Sequence, residues 1–231
     1  MNQTGKIYRI TEEEIRQQLV KRHTLEVQRK LDRAFVAVCG LGGLGSNVAL
    51  ALARIGVGHL HLLDFDRVDM SNLNRQQYLL CHVGRYKTDA LNEELTAINP
   101  YLDIKTDCIK VTAENIKSLF AEDEIICEAF DVPECKALLV NGIIEHFPCK
   151  TVVAASGLLG YGNSNAIVTR KITEHFYLCG DGCGTPKKGG GLMAPRVMLA
   201  AAHQANMITE LIIQTEQQNK EEGTDGTTRE R

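Results

Sequence analysis

No run of eighteen or more apolar residues occurs in the 231-residue chain, so no segment is fit to cross a bilayer as a helix. The opening Met1-Asn2-Gln3-Thr4-Gly5-Lys6 lacks the charged-then-apolar layout of a secretory signal, and no membrane association and a cytoplasmic location are expected. A basic block is missing too. Lys and Arg number 26 against 29 Asp and Glu, a net charge of −3, which argues against a nucleic-acid partner. No Cys-x-x-Cys pair is present. The eight cysteines are scattered, several inside apolar runs such as Val36-Ala37-Val38-Cys39, and read as small buried hydrophobes in a reducing compartment. Nor is there a Ser-His-Asp arrangement or a grouping of the seven histidines.

What is present is an ordinary globular composition, 44% hydrophobic and 24% charged, in a chain of about one domain's length. Thr11-Glu12-Glu13-Glu14 has the form of a capping box, and Ile15, Leu19, Leu25 and Leu31 predict an N-terminal helical arm of one or two helices. Strand, turn, helix and strand then follow: the apolar run Phe35 to Cys39, a glycine turn, Ser46 to Ile55 at helical spacing, and His59 to Asp64. The alternation continues through helices near 88–98, 113–120 and 133–146 and strands near 104–109, 124–129 and 151–155. That pattern predicts an α/β, Rossmann-like, doubly wound and mostly parallel sheet. After Ser156 the spacing predicts two antiparallel edge strands, 166–170 and 176–179. A glycine-rich loop from Gly180 to Gly191 and a long helix from Pro195 to Gln214 follow. The expected organisation is one domain over 1–214 and a disordered polar tail over 215–231.

Gly40-Leu41-Gly42-Gly43-Leu44-Gly45 satisfies G-x-G-x-x-G directly after a strand and before a helix, where backbone N–H groups and the helix N-terminus receive phosphates. Asp64 ends the next strand 19 residues after Gly45, the place for a carboxylate that binds ribose hydroxyls. The choice of nucleotide depends on cations. Arg75 and Lys87 follow the second strand, where they suit a triphosphate and the charge that builds on departing pyrophosphate; the competing reading is solvated loop charge. Asp131, at the end of another strand, suits Mg²⁺ at those phosphates or, alternatively, the N-cap of the helix that Pro133 opens.

These residues, with Leu63-Asp64-Phe65-Asp66, Ser71-Asn72-Leu73-Asn74-Arg75-Gln76 and Ile98-Asn99-Pro100, resemble the ThiF/MoeB/ubiquitin-activating (E1-like) adenylyltransferases over about residues 22 to 212. Lys21-Arg22-His23, Ala154-Ala155-Ser156-Gly157 and Gly191-Leu192-Met193-Ala194-Pro195-Arg196-Val197 resemble the short second subfamily of ThiF, which acts on the sulfur carrier ThiS. The resemblance implies ATP and Mg²⁺. It implies nucleotide contacts from Gly40, Gly42, Gly43, Gly45, Asp64, Asp66, Asn72 and Gln76, and catalytic roles for Arg75, Lys87 and Asp131, the last as metal ligand. It further implies a homodimer in which an N-terminal arginine reaches the partner's phosphates, Arg22 being the candidate and Arg16 the reserve. The implied chemistry is attack of a C-terminal Gly-Gly carboxylate on ATP. A nucleophile already ionised at neutral pH needs no general base, which accounts for the missing triad. Other carboxylates, on a molybdopterin carrier, a peptide or a modified tRNA, would suit the same chemistry, and an NAD-dependent oxidoreductase is the alternative of another class.

The family pattern also fails in places. Relatives hold zinc on two Cys-x-x-Cys pairs; here Cys179 and Cys183 make half a site at most, and no structural zinc is expected. Either cysteine, placed on the glycine-rich loop, is a candidate for a covalent link to the carrier or is an inert thiol.

Overall fold

The computed structural model describes residues 10–158, 160–182 and 191–222, with 215–222 as backbone only. Its N-terminal arm is two helices, α1 (Glu12–His23) and α2 (Leu25–Arg33). The capping box forms: Thr11 Oγ1 accepts from the Glu14 N–H, and the Glu14 carboxylate accepts from the Thr11 N–H at 2.8 Å. Thr24, at φ 77°, separates the helices and caps the second with its side chain.

The core follows from the alternation of strand side chains. In β1 (Phe35–Cys39), Val36 and Val38 enter one apolar cluster and Ala37 and Cys39 the other, so both faces are buried. The first face is covered by α3 (Gly43–Ile55), α4 (Lys87–Ile98) and α7 (Ala194–Glu222), through Leu52, Leu91 and Ile208. The second is covered by the short α5 (Ile116–Leu119) and by α6 (Pro133–His146), through Ile116, Leu139 and Ile143. Burial pushes the Cys39 and Cys127 thiols up, as expected of cysteines that serve as small hydrophobes.

The remaining strands are β2 (His59–Leu63), β3 (Asp103–Asp107), β4 (Ile125–Glu128), β5 (Thr151–Ala155), β6 (Val168–Thr173) and β7 (Phe176–Gly180), in the sheet order β3-β2-β1-β4-β5-β7-β6. The first two crossovers move outward from β1 on one side and β4 lies on the other, so the order reverses between β1 and β4. In such sheets that reversal opens a crevice at the carboxyl ends of the strands.

Three expectations need correction. The last two strands are antiparallel to each other, but only β6 opposes the sheet; β7 pairs parallel with β5, because β6 serves as the return leg between them. The helix expected over 113–120 is a single turn, since Asn115 turns its side chain back to accept from the Thr112 N–H at 2.8 Å. The final helix continues to Glu222, eight residues past Gln214, so the first eight residues of the polar segment expected to be disordered are helical; the rest of that segment lies outside the described residues. No helix among the described residues is long and apolar enough to cross a membrane.

Candidate active site

A cavity of about 660 Å³ occupies the crevice between the ends of β1 and β4. Its floor is the glycine turn. Gly40 has φ +89°, and a Cβ there would meet Ala129 O and Phe130 Cδ1 at 2.9 Å, so the turn is shaped for glycine alone at this point. Gly42 stands at the N-cap of α3 without any side-chain cap, leaving the first-turn N–H groups for a ligand. Gly42 and Gly43 line the cavity, whereas Gly45 does not. A Cβ on Gly45 would lie 1.8 Å from Gly40 O, so that glycine lets α3 close onto β1; it stands outside the cavity lining, whereas a nucleotide contact was expected of it.

Asp64, at the end of β2, is 7% exposed and fixes the turn: its Oδ2 accepts from the Leu41 N–H at 2.7 Å and its Oδ1 from the Asp66 N–H at 2.8 Å. Each oxygen keeps a lone pair for a ligand hydroxyl. Lys87 opens α4 beside it, 6% exposed, with Nζ 2.8 Å from Asp66 Oδ2 and 3.6 Å from Asp64 Oδ2. Two carboxylates thus hold one ammonium at the cavity wall.

Arg75 also lines the cavity but differs in kind. Its guanidinium donates to Ser71 O at 3.2 Å and Asn74 Oδ1 at 2.9 Å and makes no ion pair among the described residues. It is a cation held in place by neutral groups, with its charge available to an anion. Gln76 follows, 9% exposed, next to Gly42. Asp131, past the end of β4, is exposed on the opposite wall. The N-cap of α6 is Val132, with no side-chain cap, so Asp131 does not take the capping role that was its alternative reading.

The structure thus brings together Gly40, Gly42, Gly43, Asp64, Asp66, Arg75, Gln76, Lys87 and Asp131. It does not bring Asn72, whose side chain accepts from the Asp69 N–H at 3.3 Å and shapes the turn that carries Arg75. Arg22 lies exposed at the end of α1, away from the cavity lining, and Arg16 is paired with Asp32 at 3.1 Å near the amino ends of the strands. Neither enters the site of its own chain. Cys179 is buried at 0% exposure within β7, 3.5 Å from Thr169 Oγ1, and burial raises its pKa, so it is not an accessible loop thiol; Cys183 lies outside the described residues.

Sequence reasoning missed one buried ion pair, of which Lys136 lines the cavity. Glu128, the last residue of β4, is fully buried, and Lys136 Nζ donates to its two oxygens at 3.0 and 2.9 Å and to Ala155 O at 3.2 Å. Burial raises the Glu128 pKa, with Lys136 as the leading opposing influence and the Phe130 N–H, at 2.7 Å, as another. An acid inside the apolar run Ile125-Ile126-Cys127 was the available signal, because such a charge needs a partner. Ile109, Lys110 and Val111, which line the cavity beyond β3, carry no comparable mark.

The chain matches the ThiF family over residues 15–227. It belongs to that family. Among curated proteins it is 37% identical over 132 residues to the adenylyltransferase and sulfurtransferase UBA4 of Candida glabrata, covering 57% of this chain and 30% of that one. It is 37% identical over 105 residues to the probable adenylyltransferase/sulfurtransferase MoeZ of Mycobacterium tuberculosis, covering 45% and 27%. The chain therefore spans about 30% of the length of the curated relatives it matches. In fold it is similar to E. coli tRNA N6-threonylcarbamoyladenosine dehydratase, TcdA, solved with ATP: TM-score 0.82, 18% identity, 91% of this chain and 99% of that one. It is also similar to E. coli MccB solved with ATP, at TM-score 0.64 and 22% identity, covering 82% and 59%. These neighbours share the architecture described above.

Proposed function

We propose that this ThiF-family chain is an ATP-dependent adenylyltransferase that activates the C-terminal Gly-Gly carboxylate of a ubiquitin-like sulfur carrier of the ThiS type. The observation that carries the reading is the cavity itself, which sets the uncapped α3 N-terminus, the unpaired guanidinium of Arg75 and the free carboxylate of Asp131 around one space. A dinucleotide needs little beyond the helix terminus, whereas a triphosphate needs the added cation.

The α3 N–H groups and the glycine turn receive the phosphates, Asp64 the ribose, and Arg75 and Lys87 the charge that shifts onto pyrophosphate. A carboxylate oxygen of the carrier attacks the α-phosphorus in line; the bond from that phosphorus to the bridging oxygen breaks, and pyrophosphate leaves with the electron pair. The chain's main task is positioning, since the nucleophile is already ionised. A sulfide-level sulfur nucleophile then attacks the carbonyl of the acyl-adenylate, AMP leaves with the electron pair of the broken acyl–oxygen bond, and the resulting thiocarboxylate serves thiamine thiazole formation.

Asp131 fits Mg²⁺. Its carboxylate has no protein partner among the described residues, and this ion is commonly held by one or two carboxylates plus phosphate oxygens and waters. Mg²⁺ when bound offsets phosphate charge. A structural zinc is not part of the proposal. The protein acts as a cytoplasmic homodimer, each Arg22 being supplied to the partner's phosphates; Met70, Leu79 and Leu80, all more than half exposed, offer apolar surface for association.

The test is ATP–pyrophosphate exchange with a ThiS-type carrier ending in Gly-Gly and with the same carrier lacking its last glycine. Exchange is expected only with the intact tail, and Asp131→Ala is expected to lower it by at least about 100-fold, the scale of losing one group that stabilises transition-state charge. Exchange supported instead by another carboxylate, such as a modified tRNA, would redirect the substrate, and preferential NADH binding would overturn the reading of Arg75 and Lys87.

A further inference from the structure

One buried hydroxyl beside the glycine turn is not used by the scheme above. Tyr78 is 6% exposed, and its ring lies in the apolar cluster on the α3 face of the sheet, edge-on to the His82 imidazole. Its hydroxyl donates to Leu41 O at 2.8 Å. Leu41 is the second residue of the glycine turn, fully buried and outside the cavity lining. Its N–H donates to Asp64 at 2.7 Å, so side chains hold both of its backbone polar groups. Leu41 O accepts no other hydrogen bond among the described residues. A buried carbonyl left unpaired is costly, so the hydroxyl decides where that carbonyl points. Burial, with the Asp64 and Asp66 charges adding to it, pushes the Tyr78 phenol above its ordinary range, and the hydroxyl stays a donor. The segment that carries Tyr78 is itself tied to α3. Gln77 donates from its backbone to Ser46 Oγ at 3.1 Å and from its side chain to Asn47 Oδ1 at 2.7 Å.

The Leu41 carbonyl and the Gly42 N–H belong to one planar unit. In a trans peptide these two groups point in opposite directions. Drawing the carbonyl into the core against Tyr78 therefore sends the Gly42 N–H the other way. Gly42 lines the cavity at the N-cap of α3, and its N–H has no partner among the described residues. Glycine resists the turning-over of this peptide less than any other residue, since no Cβ restricts it. A turned peptide would present a carbonyl to the phosphates in place of a donor, and it would break the hydrogen bond to Tyr78.

We infer that Tyr78 is a positioning residue of the nucleotide site, whose hydroxyl locks the Leu41–Gly42 peptide with its N–H towards the phosphates. This rests on the nucleotide half of the adenylation reading, in which the glycine turn receives ATP, and is independent of the acyl donor.

The test titrates the full chain with ATP and with adenosine by calorimetry, wild type against Tyr78→Phe, which keeps the ring and drops the hydroxyl. The variant is expected to bind ATP about five- to tenfold more weakly and adenosine within about twofold of wild type, the scale of one hydrogen bond felt only through the phosphates. Amide NMR of the wild type needs no variant: the Gly42 N–H signal is expected to move downfield with ATP and to stay in place with adenosine. Equal losses for both ligands, or a lower Tm with ATP affinity unchanged, overturn the inference and leave Tyr78 a core residue. A Gly42 signal indifferent to ATP also overturns it. Wild-type protein that binds no ATP overturns the adenylation reading and this inference together. The expected ATP results without pyrophosphate exchange on any carrier support the inference and overturn only the acyl donor.

Discussion

Glu128 and Lys136 tie the end of β4 to the start of α6, and the turn between them carries Asp131. In Lys136→Met the aliphatic stem is kept and the ammonium lost, leaving a fully buried carboxylate with the Phe130 and Ala155 N–H groups as its remaining partners. Breaking a buried pair by removing one member costs about 3–5 kcal/mol, and two surviving N–H donors favour the lower end, about 3 kcal/mol. For a chain of this size that corresponds to a fall in Tm of roughly 6–12 °C. The pH dependence gives the sharper test. Burial raises the folded-state pKa of Glu128, and removing Lys136 removes the leading influence that lowers it, so the variant's value rises further. A carboxyl whose folded pKa is raised is tolerated best when protonated. Its ionisation penalty is therefore present above the folded pKa and fades as pH falls through it towards the unfolded value. Urea unfolding followed by circular dichroism should show the deficit of Lys136→Met near its full size at about pH 8 and clearly smaller at about pH 5. Glu128→Gln added to Lys136→Met should recover most of the loss at the higher pH. A deficit that stays constant with pH, or a double variant no better than the single one, would refute the account of a charge stranded by burial.

Two glycine substitutions separate close packing from backbone strain. Gly45→Ala sets a Cβ at 1.8 Å from Gly40 O and is expected to cost at least about 4 kcal/mol or abolish folding, read as loss of soluble protein or of the cooperative thermal transition. Gly84→Ala, at φ +87° with open space around it, should cost only about 1–2 kcal/mol by the same melt. Lys87→Met removes the ammonium between Asp64 and Asp66 and leaves two carboxylates facing the phosphate site. ATP affinity measured by calorimetry should fall by roughly ten- to a hundredfold, and unchanged affinity would mean that Lys87 serves only to neutralise Asp66.

The sheet was legible because its inner strands are continuous apolar runs bounded by glycine and acid, the form that burial on both faces imposes. Strand direction at the edge was not, since five residues such as Phe176-Tyr177-Leu178-Cys179-Gly180 carry no mark of polarity and the path of β6 alone makes β7 parallel. The site divides in the same way. Arg75, Lys87 and Asp131, which line the cavity, stood out as candidates because charge just after a strand is unusual enough to suggest a ligand. Asn72 fell outside because a turn-forming Asn and a ligand-binding Asn have one appearance in sequence. Gly45 was assigned to phosphates because the motif treats its three glycines alike, while the structure separates those facing the cavity from the one under the Gly40 carbonyl. Gln76 and Gln77 show the limit most clearly. They are adjacent and chemically identical, yet the Gln77 amide is spent on Asn47 of α3, while Gln76 lines the cavity and its side chain makes no hydrogen bond among the described residues. Only the turn set by Asp69, Asn72 and Ser46 tells them apart.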